Sequence, residues 1–135
     1  MANFLYDIAV NGTFAGSVNW NAGTNFKCMG VNSSYTPSAS SHSHLSDVPS
    51  GDRETSGVAI SGVSFTGRKF KFSGLLFPAV TSGHTITYVI LYIDTGTEST
   101  STLLYCCDTG TNLPVTGTGA DISFTPDATA GLFSL

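Results

Sequence analysis

Thr85-Ile-Thr-Tyr-Val-Ile-Leu-Tyr-Ile93, followed after one polar connection by Leu103-Leu-Tyr-Cys-Cys107, decides the fold of this chain. Both stretches are short, rich in β-branched and aromatic residues and bounded by turn formers, which reads as strand. The first is apolar on both faces at its centre, so it belongs in the middle of a sheet or between two layers. Asp94 to Ser101, with Gly96 inside it, suits the connection of an antiparallel hairpin. Outward from this pair the same grammar repeats. Asn25 to Val31 alternates Phe26 and Cys28 against Lys27, Met29 and Val31, a strand with both faces partly covered. Val58, Ile60, Val63 and Phe65 lead into a break at Gly67, and Arg68-Lys-Phe-Lys-Phe72 points Phe70 and Phe72 inward and Lys69 and Lys71 outward. Leu75 to Val80 contains Pro78 and therefore reads as an edge or a bulge. Leu113-Pro-Val-Thr-Gly, Ile122-Ser-Phe124 and Leu132-Phe-Ser-Leu135 follow, and the last of these predicts a C-terminus tied into a sheet.

Composition points the same way. The 135 residues fit one domain, 1–135. Only 10% of them are charged, with nine acids, five bases and no Gln, so exposed helical faces lack their usual material and a helical bundle is excluded. Hydrophobic residues at 41% are too many for a disordered chain. The expected architecture is all-β, an antiparallel β-sandwich or jelly-roll-like barrel. One short N-terminal helix can accompany it, since residues 3–18 admit either helix or strand: Phe4, Leu5 and Ile8 could share a helical face, while Asn11-Gly12 breaks what precedes it. A net charge of −4 argues against nucleic acid, and no apolar run nears the roughly 20 residues that span a bilayer. Met1 to Asp7 has no basic stretch and predicts no secretory signal. Cys28, Cys106 and Cys107 read as reduced, partly buried small hydrophobes, because neighbouring strand residues point to opposite faces and Cys106 and Cys107 cannot bridge without strain.

Three patterns could carry chemistry. Asp-Thr-Gly-Thr occurs at Asp94–Thr97 and Asp108–Thr111, each after a hydrophobic strand, as aspartic proteases present their carboxylate. That reaction needs two carboxylates about 3 Å apart. At opposite ends of a hairpin the two copies cannot pair within one chain, so each reads as Asp capping a glycine turn. The Ser-rich segment 32–56 holds His42, His44, Asp47, Asp52 and Glu54, residue types that suit a transition metal. It offers no strand to fix ligands, which favours a solvated loop or protein-contact surface, with Leu45-Ser-Asp47-Val48-Pro49 as a small ordered anchor. Loops of this length tend to be functional. His84 reads as a lone exposed turn histidine, and Tyr88 and Tyr92 as core residues with polar tips rather than a carbohydrate platform. No catalytic, cofactor or metal-ligating residues are therefore expected.

Ala2-Asn-Phe-Leu-Tyr6, Gly16-x-x-x-Trp20, Tyr35-Thr-Pro37 leading to His44-Leu-Ser-Asp-Val-Pro49, Tyr92-Ile-Asp-Thr-Gly-Thr97 and Leu113-Pro-Val-Thr116 stand in an order and spacing covering nearly the whole chain. Together they resemble a family of small virion structural proteins of tailed bacteriophages. The resemblance implies a particle-bound, non-enzymatic, cofactor-free protein, a capsid decoration or cement protein or else a small tail component. It implies major capsid protein or other virion subunits as partners, and a homo-oligomer. The contacts would come from the 32–56 loop and the N-terminal segment, through Phe4, Tyr6, Tyr35, His42, His44, Leu45 and Asp47. A carbohydrate- or receptor-binding β-module is the competing reading.

Overall fold

The hairpin that anchors the sequence reading is the centre of the fold, with Val89 opposite Cys107 and Ile90 opposite Cys106. The computed structural model describes residues 3–20, 23–108, 113–126 and 131–134. Along these residues run β1 (Phe4–Leu5), α1 (Asp7–Ala15), β2 (Phe26–Val31), β3 (Val58–Ala59), β4 (Ser64–Thr66), β5 (Lys69–Lys71), β6 (Leu75–Phe77), β7 (Thr85–Ile86), β8 (Tyr88–Ile93), β9 (Leu103–Cys107), β10 (Val115–Thr116), β11 (Ile122–Phe124) and β12 (Phe133–Ser134). Every pairing among them is antiparallel, so the chain is all-β with one short helix. The main sheet has the order β1-β9-β8-β2-β3, and three smaller ones pair β10 with β7, β11 with β6, and β12 with β5 and β4.

The main sheet has no solvent face at its centre. Phe26, Cys28, Val89, Leu91 and Cys107 point to one side, where Phe70, Phe72, Leu75, Phe77, Ile86, Phe124 and Phe133 of the smaller sheets cover them. This is the sandwich layer, and Phe70, fully buried, lies 5.4 Å from the rings of Trp20, Phe26 and Phe133. Met29, Val31, Ile90, Tyr92, Leu103 and Cys106 point to the other side and pack with Tyr6, Tyr35, Leu45 and Val48. The second cover is thus the segment read as a polar loop. Leu104 has no partner across the hairpin, since Leu91 faces Tyr105 and Tyr92 faces Leu103. This bulge sets Leu104 and Tyr105 both on the sandwich side and returns Leu103 to the other.

Two local expectations are corrected. The run Thr85–Ile93 is not one strand. It divides at Thr87, whose N–H bonds Val31 O at 2.8 Å, and Ile86 leaves the main sheet to pair with Val115. Gly30 makes this possible: a Cβ there would stand 2.9 Å from Ile86 Cδ1, so the missing side chain is the hollow that Ile86 fills. Residues 3–18 are strand and then helix, β1 pairing with β9 before α1 begins. Asn11-Gly12 does not break the helix, because Gly12 is a buried contact against Val18, and α1 ends at Gly16, whose φ of 83° closes the last turn. The C-terminal expectation holds as far as Ser134, with Phe133 paired to Phe70. None of the three cysteines forms a disulfide, and all three are buried. No helix among the described residues is long and apolar enough to cross a membrane.

Candidate interaction surface

Residues 32–56 leave β2 and return to it. Asn32 N–H bonds Asp52 O at 2.9 Å, Val31 bridges Arg53, and Glu54 N–H bonds Gly30 O at 2.9 Å, so the excursion starts and finishes at one place on the sheet. Between those ends it is stitched to its surroundings. Asp7 N–H bonds Ala39 O, Leu103 N–H bonds Ser43 O, and Leu45 N–H bonds Ser101 O, all at 2.8–3.0 Å. Leu45 and Val48 are buried on a short 3-10 turn, Leu45–Asp47, which is the anchor read from the sequence. The segment has no strand of its own, yet backbone bonds and apolar anchors hold it down along its length.

Arg53 is the residue that sequence reasoning passed over. Its side chain is 15% exposed. One guanidinium nitrogen donates to Leu45 O and Val48 O at 2.9 and 2.8 Å, and Nε donates to Val48 O at 3.2 Å. The fork also grips both oxygens of Glu98 at 2.8 and 2.9 Å. One cation therefore ties the anchor turn and the tip of the β8–β9 hairpin together, using the planar bidentate geometry that Lys lacks. The only signal in the sequence is that Arg53 is the single base within 32–56.

Beneath the segment lies a buried polar chain. Tyr6 Oη and Tyr35 Oη stand 2.9 Å apart, and Tyr35 Oη stands 2.9 Å from His42 Nδ1, the imidazole stacking on the Tyr35 ring at 5.4 Å. Burial pushes the Tyr35 phenol up to about 12 and raises that of Tyr6 further, so both stay neutral. Burial likewise pushes the Cys106 thiol up to about 12, against the opposing hydrogen bond from Tyr6, and leaves it a poor nucleophile.

The expected contact residues accordingly separate. Tyr6, Tyr35 and Leu45 are core residues whose side chains are covered, a correction that follows from their apolar rings and stem sealing the second face of the sheet. Phe4, His42 and His44 are half-buried, Phe4 standing edge-on to Tyr6 at 5.0 Å. Asp47 is exposed, and its carboxylate accepts from the N–H groups of Ser43 and His44 at 2.7 and 3.1 Å. The outward face of the segment is instead made of hydroxyls: Ser33, Ser34, Thr36, Ser40, Ser41, Ser46 and Ser50 are all exposed.

Asp94 does what a turn-capping aspartate does. It accepts from Gly96 N–H at 2.9 Å and pairs with Lys27 Nζ at 2.7 Å, away from Asp108 at the far end of the hairpin. Thr109, Gly110 and Thr111 of the second Asp-Thr-Gly-Thr copy lie outside the described residues. His84 is not solitary, since Nδ1 pairs with the Glu54 carboxylate, which also accepts from Asn32 Nδ2 at 2.6 Å. Among the described residues no group of three or more His, Cys, Asp or Glu is placed to hold a metal ion. Tyr92, at 3% exposure, offers no ring face to a sugar.

These carboxylates fix the acid response. Backbone N–H groups of Ser43 and His44 hold the Asp47 carboxyl below the usual range, Lys27 and then the Gly96 N–H do so for Asp94, and Arg53 does so for Glu98. A carboxyl whose folded-state value is depressed adds stability above its unfolded value, and that stability is lost as pH falls through the folded one. Urea unfolding should therefore show a midpoint that is level near neutrality and drops below about pH 4. Asp47→Asn should flatten that drop; an unchanged acid limb would show that the Asp47 bonds do not matter to stability.

No family model matches the chain, and no curated protein matches it.

Proposed function

We propose that this chain is a structural protein of a bacteriophage particle, a capsid decoration or cement protein that binds and stabilises major capsid subunits. The observation that carries the reading is the 32–56 segment: a long excursion already ordered by Arg53, Leu45 and Val48, with an outer face of serine and threonine hydroxyls. A surface ordered before contact loses little conformational entropy on docking. A face of hydroxyls with Asp47 as its one exposed charge can be covered with little desolvation of ions, the main cost of burying charged groups at an interface. Repetition over a particle then lets modest contacts add through effective concentration. The whole-chain resemblance to small virion proteins of tailed phages points the same way and keeps a tail location as the alternative within it.

A glycan-binding module has a weaker footing. An open cleft of about 420 Å³ is lined by Arg53, Thr55, Ser56, Tyr92, Asp94 and Glu98, but Lys27 and Arg53 already occupy its carboxylates and Tyr92 shows no face to it.

Particles lacking the protein, prepared from a phage deleted for its gene, provide the test. Purified protein added back should bind in hundreds of copies and restore resistance to heat or osmotic shock. Deleted particles as robust as wild type, or a handful of copies located on the tail, would overturn the capsid reading.

A further inference from the structure

The chain has only five bases, and their placement is uneven. Lys27 and Arg53 are taken up in ion pairs with Asp94 and Glu98. The other three, Arg68, Lys69 and Lys71, stand together on the β4–β5 hairpin, in a stretch from Thr55 to Ile93 that contains no acid. Pairing sets where the hairpin points them. Phe65 faces Phe70 and Phe70 faces Phe133, with the three rings packed together inside, so Ser64, Thr66, Lys69, Lys71 and Ser134 form the opposite, outer face of this sheet. None of its three strands carries an acid. Neither Arg68 nor Lys71 takes part in an ion pair among the described residues.

The fold accepts strain to hold this charge out. Arg68 closes the tight turn of the hairpin after Gly67, with a φ of 66° following one of 60°, a left-handed position that suits glycine rather than a residue with a Cβ. Its side chain is exposed at the tip. A strained residue kept at such a place points to function rather than to stability.

Charge is thereby segregated through the thickness of the molecule. Asp7, Asp47 and Asp52 lie with the excursion, which covers the far side of the main sheet. Packed sheets stand about 10 Å apart, beyond the screening length of about 8 Å at physiological salt, so a partner approaching the hairpin meets its bases and not the net −4 of the whole chain. We infer that the outer face of the β4–β5–β12 sheet docks on an acidic patch of another protein, through Arg68 and Lys71 with the Ser64 and Thr66 hydroxyls beside them. Carboxylates fit this face better than a nucleic acid does. Strands of three residues span about 10 Å, and a duplex would run on past them over the rest of an anionic molecule. The inference goes beyond the particle reading, which uses the opposite side of the molecule.

The test is fluorescence anisotropy of labelled poly-L-glutamate titrated with the full chain over a salt series, with duplex DNA in a parallel titration and sedimentation of the chain alone. The expected result is binding of poly-L-glutamate that weakens about tenfold between about 50 and 200 mM salt. Arg68→Gly combined with Lys71→Thr should weaken it at least about tenfold at fixed salt. The melting temperature should not fall, since glycine accepts a φ of 66° and threonine suits an outward strand position. Arg68→Lys should keep the binding. Poly-L-glutamate bound equally by the double variant, or ignored by wild type, would overturn the inference, as would tighter binding of duplex DNA. Self-association of wild type that the double variant loses would assign the face to a second copy and overturn it too. Particles lacking the protein separate this inference from the proposed function. Wild type that binds poly-L-glutamate through this face yet ignores such particles would uphold the face and defeat the particle reading; abundant binding to particles with poly-L-glutamate ignored would do the reverse.

Discussion

Arg53→Met should lower the unfolding free energy by about 2 kcal/mol, mainly the cost of leaving a buried carbonyl of the anchor turn without its donors. Met keeps most of the stem and deletes the fork, so packing is disturbed little. What is lost is the donors to Leu45 O and Val48 O, two carbonyls flanking a turn that is itself buried by Leu45 and Val48. Leu45 O keeps the Val48 N–H at 3.0 Å, so the loss falls on Val48 O, and a carbonyl left without its partner costs about 1–3 kcal/mol when water cannot replace the bond. Glu98 contributes less to the loss, since its side chain is 57% exposed and water can take over. Glu98→Gln should accordingly weaken the protein less than Arg53→Met, and Arg53→Lys should fail to rescue it, because an ammonium cannot reach two carbonyls and a bidentate carboxylate together. Urea unfolding gives the stabilities, and hydrogen exchange at Leu45 and Leu103, whose amides bond Ser101 O and Ser43 O, locates the opening. A loss below about 1 kcal/mol would mean that the fork is a surface ion pair only.

Phe70→Ala should cost about 4 kcal/mol, within the range of phenylalanine truncations in packed cores. Phe70 has no exposed surface, and its ring meets Trp20, Phe26, Phe65, Phe72 and Phe133 at 5.4–6.3 Å. It joins β5 and β12 to β2 of the main sheet, so the cavity left behind opens the seam between the layers rather than one end of the molecule. Its neighbour across the pair, Phe65, is 36% exposed and can be truncated for about 1 kcal/mol or less. Equal losses for the two variants, measured by thermal and urea unfolding, would place the hydrophobic centre elsewhere.

How much of this was readable depended on whether a signal is local. The hairpin was legible because Val89, Ile90 and Leu91 are apolar on both sides, a pattern that has few structural meanings. Phe70 and Phe72 were legible from strict alternation with Lys69 and Lys71. The capping role of Asp94 followed from its turn residues alone. The break at Thr87 was not legible, since it depends on Gly30 across the sheet, far away in sequence. Nor was the true nature of residues 32–56: serine content signals solvent, and it describes the outer face correctly while hiding Tyr35, Leu45 and Val48 on the inner one. Tyr6 and Tyr35 read as surface contacts because they lie in the N-terminal segment and the 32–56 loop, whereas their hydroxyls hydrogen-bond each other inside.

The return of that excursion to its own starting point has a further meaning. Because Asn32 and Glu54 are tied within one or two residues of each other beside the end of β2, the exposed hydroxyl side chains between them can be exchanged without disturbing the register of any strand. Tyr35, Leu45, Val48 and Arg53 act as the four fixings, and the hydroxyl-bearing side is a faceplate screwed onto an indifferent chassis. Recognition in such a protein can drift toward a new neighbour one serine at a time, with the fold as a bystander.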